Sequence, residues 1–211
     1  MKVNRDIVVQ AGLNLLNEVG LEQLTLRRLA KDLKVQAPTL YWHFKSKEDL
    51  IDAMATLVLA KGASSLVPSK SASTWKTWVH AFGIGLRQTL LNYRDGARLV
   101  AGSRLIDTVY METAERIGRR LVEAGFSVRQ AVVLLSTVYT FTISFVIEEQ
   151  AVFPVQGERS PAYDIQTRNA KLDLRKFPIL RQSGAILFDR FEQRFKDSLD
   201  LIVGGVSLPK T

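Results

Sequence analysis

No cysteine occurs anywhere in the 211 residues. Disulfides, thiolate zinc sites and a cysteine nucleophile are therefore excluded, and the chain suits a reducing compartment, so a cytoplasmic location is expected. Histidine is almost as scarce, with only His43 and His80. Transition metals favour imidazole or thiolate donors, so no dedicated metal site is expected. A glycine-rich phosphate loop, a Ser/His/Asp constellation and a converging pair of acids are all missing, and the chain does not read as an enzyme. Met1 to Asp6 is polar, and the apolar residues that follow are interrupted by Asn14, Asn17 and Glu18, so no signal peptide is expected. The charge-free run from Gln130 to Ile147 is 18 residues long and a third of it is polar. A membrane span needs roughly 20 mainly apolar residues, so this run reads as a buried or interface helix and no membrane partner is expected.

What remains is a chain with 46% apolar residues, enough for an ordinary globular core. Its net charge of +8 and pI near 9.8 suit a polyanionic partner. Residues 1–63, however, carry nine basic against seven acidic side chains and net only +2. Placement argues for DNA better than total charge does. Arg27, Arg28, Lys45 and Lys47 flank the stretch Pro38 to Phe44, where Thr39, Tyr41, Trp42 and His43 crowd a helix too short to bury them all.

Helical periodicity runs through the chain, with no internal repeat and no credible strand, so the fold class is all-α. Asn4 caps a first helix to about Val19, with Gly20 in place as its left-handed terminator. Thr25 caps a second helix with Leu26, Leu29, Ala30 and Leu33 inward. Lys34 to Ala37 makes the turn, and Pro38 opens a third helix whose Leu40 faces the core. Ser46 to Asp49 reads as a capping box opening a fourth helix that ends near Gly62. Residues 63–73 are small and polar and read as a link. Further helices are expected over Thr74 to Asn92, Ala97 to Ser103, Asp107 to Ala124, Ser127 to Gln150 and Ser183 to Val203, with residues 151–176 irregular. The helices from 127 to 150 and from 183 to 203 are apolar enough to suggest an interface with a second copy, intrachain burial being the alternative.

The stretch LTLRRLAKDLKVQAPTLYWHFKSKEDLIDAM, and above all Pro38-Thr39-Leu40-Tyr41-Trp42-His43-Phe44 with Lys45 and Lys47, resembles the tetracycline-repressor family of bacterial transcription regulators. Trp75, Leu90 to Arg98, Gly102-Ser103-Arg104, Gly125-Phe126-Ser127 and Phe141-Thr142 are similar to the tetracycline-repressor branch itself. These matches touch most of residues 4–150. The resemblance implies an N-terminal helix-turn-helix DNA-binding domain over 1–46 and a connecting helix over 47–63. A C-terminal helical ligand-binding and dimerisation domain would follow over 64–211. It further implies a repressor that binds a palindromic double-stranded DNA operator as a homodimer and is released by a small-molecule inducer. The alternative is a small-molecule or lipid-binding helical protein with little sequence-specific DNA binding.

For DNA contact the resemblance implies Thr25 on a phosphate, Arg27 on a base, and Pro38 and Thr39 on thymine methyls or backbone. Tyr41, Trp42 and His43 would follow along the groove, His43 being open between contact and structural packing, with Lys47 on a phosphate. Ala37 stands where the branch has a base-reading glutamine, so a different operator sequence is expected. In the ligand domain the branch holds a magnesium–tetracycline chelate. Here Val100 replaces its metal-ligating histidine, Phe82 its pocket asparagine and Arg116 its glutamine, and its other pocket histidine is missing. A more apolar, metal-free pocket is expected, drawn from Phe82, Leu86, Val100, Ser103, Arg104, Val109, Thr113, Arg116, Val132, Leu135, Ser136, Tyr139 and Glu148. Arg104 and Arg116 are open between meeting a ligand anion and surface pairing.

Overall fold

A computed structural model describes residues 4–67, 74–105 and 108–206, apart from the side chain of Val109. Part of the expected link at 63–73, and the expected pocket residue Val109, therefore lie outside the described residues. Twelve α-helices and one short 3₁₀ turn make up the described chain, with a single isolated bridge between Val155 and Glu158 and no strand among the described residues. The fold is all-α.

Helices α1 (Arg5–Gln23), α2 (Leu26–Asp32) and α3 (Ala37–Tyr41) form the N-terminal unit. The Asn4 side chain accepts from the Ile7 amide at 2.9 Å and starts α1. Gly20 interrupts the helix at φ +78°, and the chain resumes helical turns to Gln23. A β-carbon there would be strained and would also lie 3.0 Å from the Asp95 carboxylate, so position 20 needs glycine twice over. Thr25 caps α2, its hydroxyl accepting from the Arg28 amide. Lys34 takes φ +55° at the corner before α3, and Val35 packs half-buried against the core. Leu13, Leu16, Leu29, Leu40 and Phe44 close the centre of this unit.

The fourth helix, α4 (Lys47–Lys61), begins at Ser46, which accepts from the Asp49 amide. The expected capping box is modified, because the Asp49 carboxylate accepts from the Lys45 amide. A short α5 (Ala63–Leu66) occupies the described start of the expected link. It presses against α6 (Trp75–Leu91), around which α4, α5, α9 and α12 gather. Gly85 permits that approach: a β-carbon on it would sit 2.0 Å from the Ser65 carbonyl oxygen. The chain continues through α7 (Gly96–Val100), α8 (Thr108–Glu123) and α9 (Val128–Val152), the last opened by the expected Ser127/Gln130 capping box.

α9 is long and apolar enough to cross a membrane by length and composition alone, but one face of it is committed to the core. Leu134, Val138, Thr142, Phe145 and Val146 are buried along that face. Val128, Val132, Val133, Thr137, Thr140 and Ser144 are exposed on the others.

Two expectations are corrected towards the C-terminus. Residues 151–176 are not wholly irregular. They contain the 3₁₀ turn Pro161–Tyr163 and α10 (Ile165–Ala170), capped by Asp164 through the Thr167 amide at 2.7 Å. The expected single helix from Ser183 to Val203 is two, α11 (Pro178–Phe188) and α12 (Phe191–Gly204), broken at Asp189 and Arg190. Phe191, Phe195, Leu199 and Val203 bury one side of α12, and Phe195 stacks on Phe141 with ring centres 5.4 Å apart.

Candidate nucleic-acid interface and ligand cavity

The α2–α3 corner presents a continuous outer face. Because α3 has only five residues, Leu40 and the following Phe44 hold it down while Tyr41 and Trp42 between them point away. Trp42 is 88% exposed and Tyr41 55% exposed, with Pro38 exposed and Thr39 half-buried beside them. Arg27 is exposed on the outer side of α2 and enters no hydrogen bond or ion pair among the described residues. Its neighbour Arg28 bonds the Gln23 side chain at 3.0 Å.

Three of the expected contact residues have structural work of their own. Thr25 caps α2. His43 is half-buried, and its carbonyl accepts from the Arg5 guanidinium at 2.9 Å, the same guanidinium that lies 4.4 Å from the Phe44 ring centre. The Lys47 ammonium is not free: it donates to the Leu21 carbonyl at 3.0 Å, tying the start of α4 to the end of α1. Lys45, by contrast, is exposed with only its backbone amide engaged.

A cavity of about 820 Å³ opens between α6, α8 and α9, with Leu59 and Leu66 at its inner end. Of the residues expected in a pocket, Phe82, Leu86, Thr113, Val132, Leu135, Ser136 and Tyr139 stand on its wall. Five others do not. Val100 is fully buried in the core, and the Ser103 hydroxyl donates to the Leu99 carbonyl at 2.6 Å. Arg104 turns to α4, bonding Asp52 at 2.7 Å and Asp49 at 3.2 Å, so the surface-pairing alternative describes it. Arg116 points to solvent, and the exposed Glu148 carboxylate lies 4.0 Å from Arg194.

The wall also contains Tyr110, Met111, Ile117, Val122 and Val128, which sequence reasoning missed. The strongly amphipathic pattern of α8 was the available signal, since its apolar stripe has to face something. Burial raises the phenol pKa of Tyr110, and it raises that of Tyr139 to about 12 with a further push from nearby Tyr110. Among the described residues Glu115 is the one carboxylate on the wall, and it is already paired with Arg119 at 2.9 Å. Among the described residues no three His, Cys, Asp or Glu side chains converge as a metal site.

Polar contacts connect the two regions. The Leu21 amide donates to Asp95 at 2.8 Å, the Arg94 amide to Asn17 at 2.9 Å, and the Arg94 guanidinium to the Glu18 carbonyl at 3.0 Å. Behind this turn, Gln150 of α9 accepts from the Ala97 amide at 3.2 Å and donates to the Tyr93 carbonyl at 2.7 Å. An unbroken path of hydrogen bonds thus leads from α9 to the end of α1. Arg104, through Asp49 and Asp52, fastens the segment after α7 to the first half of α4.

Comparison with known proteins gives matches that span both regions. Residues 8–54 match the model for bacterial regulatory proteins of the tetR family, and residues 67–208 match that for the tetracyclin repressor-like C-terminal domain. The chain is 40% identical to the class A tetracycline repressor protein from transposon 1721 of Escherichia coli, covering 98% of this chain and 91% of that protein. Among solved structures it is similar to a possible TetR family transcriptional regulator from Streptomyces coelicolor A3(2), with TM-score 0.83 and 33% identity over 96% of this chain and 98% of that one. A class A TetR in complex with 5a,6-anhydrotetracycline and magnesium matches with TM-score 0.68 and 35% identity over 97% of both chains.

Proposed function

Since the chain belongs to the TetR family of bacterial transcriptional regulators, we propose that it reads operator DNA through the outer face of α2 and α3 and lets go when a small molecule fills the α6–α8–α9 cavity. It is a ligand-responsive regulator of the repressor type and not an enzyme. The observation that carries the reading is the exposure of Trp42, 88%, beside Tyr41, 55%, on a short helix whose neighbours Leu40 and Phe44 are buried. Aromatic faces without a packing role suit a groove wall.

Arg27 reads a base edge, where a bidentate guanidinium discriminates guanine, while Pro38, Thr39, Tyr41 and Trp42 seat α3 in the major groove. Thr25 and His43 act through the backbone they hold as well as by contact. Lys47 offers a phosphate only the N–H groups not given to Leu21, and the exposed Lys45 joins it. Two such faces meet a palindrome when a second copy pairs through α9 and α12, with half-sites about 34–36 Å apart. Residues 1–46 form the DNA-binding domain, 47–63 the connecting helix, and 64–211 the ligand-binding and dimerisation domain of a cytoplasmic protein. The connecting helix α4 touches both regions, so a ligand that displaces α8 or α6 alters the angle at which α1–α3 are held.

A magnesium–drug chelate does not fit the donor set that the described residues give the cavity, hydroxyls and one already paired carboxylate. No step of the release is assigned to a metal. Selection of bound duplexes from a random DNA pool tests the function directly. An enriched palindrome with half-sites one helical turn or a multiple apart is expected, and recovery of unenriched sequence contradicts it.

A further inference from the structure

The ligand cavity contains two polar groups that the fold leaves unanswered. Tyr110 and Tyr139 both stand on its wall, on α8 and α9, and neither phenol has a hydrogen-bond partner among the described residues. Leaving a phenol O–H unpaired in an apolar site costs free energy unless water or a ligand answers it. The remaining wall is largely aliphatic and aromatic, and the Ser136 hydroxyl spends its proton on the Val133 carbonyl at 3.0 Å. The two charged residues on the described wall, Glu115 and Arg119, neutralise each other. An anionic ligand would have to compete with Glu115 for Arg119, and a cationic one with Arg119 for Glu115.

We propose that the cavity takes a neutral, mainly apolar molecule that presents an oxygen acceptor, a carbonyl above all, to the hydroxyls of Tyr110 and Tyr139. This rests on the ligand-responsive reading above and specifies its ligand. A carbonyl oxygen has two lone pairs and no proton of its own, so it answers a phenol donor without needing an acceptor in return. Burial keeps both phenols protonated through neutral pH, so both remain donors. A volume of about 820 Å³ lies within the range of drug-sized pockets, roughly 300–1,000 Å³.

The test compares 9-fluorenone, its hydrocarbon fluorene and fluorenone-4-carboxylate by calorimetry on the full chain, without DNA and with EDTA present. Fluorenone is expected to bind at least about threefold tighter than fluorene, the size of one net hydrogen bond, although solvation alone favours the hydrocarbon. The carboxylate is expected to bind more weakly than fluorenone. In the Tyr110→Phe/Tyr139→Phe variant, checked for folding by thermal melting, the fluorenone-to-fluorene preference falls to about one or below. Equal binding of the two neutral probes to the native chain overturns the proposal, with or without a folded variant. So does preference for the carboxylate, survival of the ketone preference in the double variant, or failure of both neutral probes to bind. DNA selection is scored separately, so a chain that enriches an operator but ignores the carbonyl loses this inference and keeps its function.

Discussion

Arg27 and Trp42 are exposed on one face, and neither side chain has a hydrogen bond, ion pair or ring contact among the described residues. Arg27→Ala should lose about 1–3 kcal/mol on the selected operator and relax preference at one base pair, with little change on scrambled DNA. Equilibrium binding to both duplexes checks this, and equal losses would remove Arg27 from base reading. Lys47 is different, because its ammonium holds the Leu21 carbonyl. A lysine read from resemblance as a phosphate contact is also an internal strut, and its replacement is expected to disturb the α1–α4 junction as well as the DNA. Tyr139 supplies a pH prediction. Its folded pKa, about 12, lies above the unfolded value of about 10, so the unfolded chain gives up its proton first. The stability of the neutral buried phenol is therefore present below pH 10 and is lost as pH rises from about 10 to about 12. Thermal melting through that range should show the decline, and it should be shallower in Tyr139→Phe.

At the scale of elements, the helices are fastened by a few polar contacts that are costly to break. Arg87 of α6 holds Glu149 of α9 through two hydrogen bonds of 2.8 and 2.5 Å, both side chains largely buried. Glu149→Ala leaves the guanidinium unpaired and should cost about 3–5 kcal/mol in denaturant unfolding. Gly85→Ala drives a β-carbon into the Ser65 carbonyl and should cost about 1–3 kcal/mol by forcing α5 from α6. The same change moves Leu66 at the cavity wall, so probe affinity should fall with melting temperature.

Helix starts were legible in sequence where a cap is a local pattern, as at Asn4, Thr25, Ser46 and Ser127. Asp164 caps α10 in the same way, but a six-residue helix among prolines gives no periodicity to go with it. The break at Asp189 and Arg190 falls inside a continuous apolar stripe. The Arg159 guanidinium, which bonds Asp189 and the Phe188 carbonyl, reaches Asp189 from 30 residues away, a long-range contact no window of sequence contains. Likewise the family resemblance draws Val100, Ser103, Arg104, Arg116 and Glu148 into the expected pocket. Where those side chains point depends on partners such as Asp49 and Asp52, which only the fold brings near.

Across the whole molecule, the DNA face and the cavity lie at opposite ends of α4, and the turn at Tyr93 to Ala97 is bonded to both α1 and α9. In the proposed reading one connected body carries both DNA contact and release, and pairing of two copies would set the spacing at which both faces meet DNA. The proposed function has the Pro38–Trp42 face, with Arg27, reading a palindrome. A hydroxyl-radical footprint on the selected operator tests it most directly. Two protected blocks whose centres lie one helical turn, or a multiple of it, apart are predicted for the native chain, with both blocks weakened together in Trp42→Ala. Uniform protection along the duplex, or a footprint indifferent to Trp42→Ala and Arg27→Ala, would contradict it.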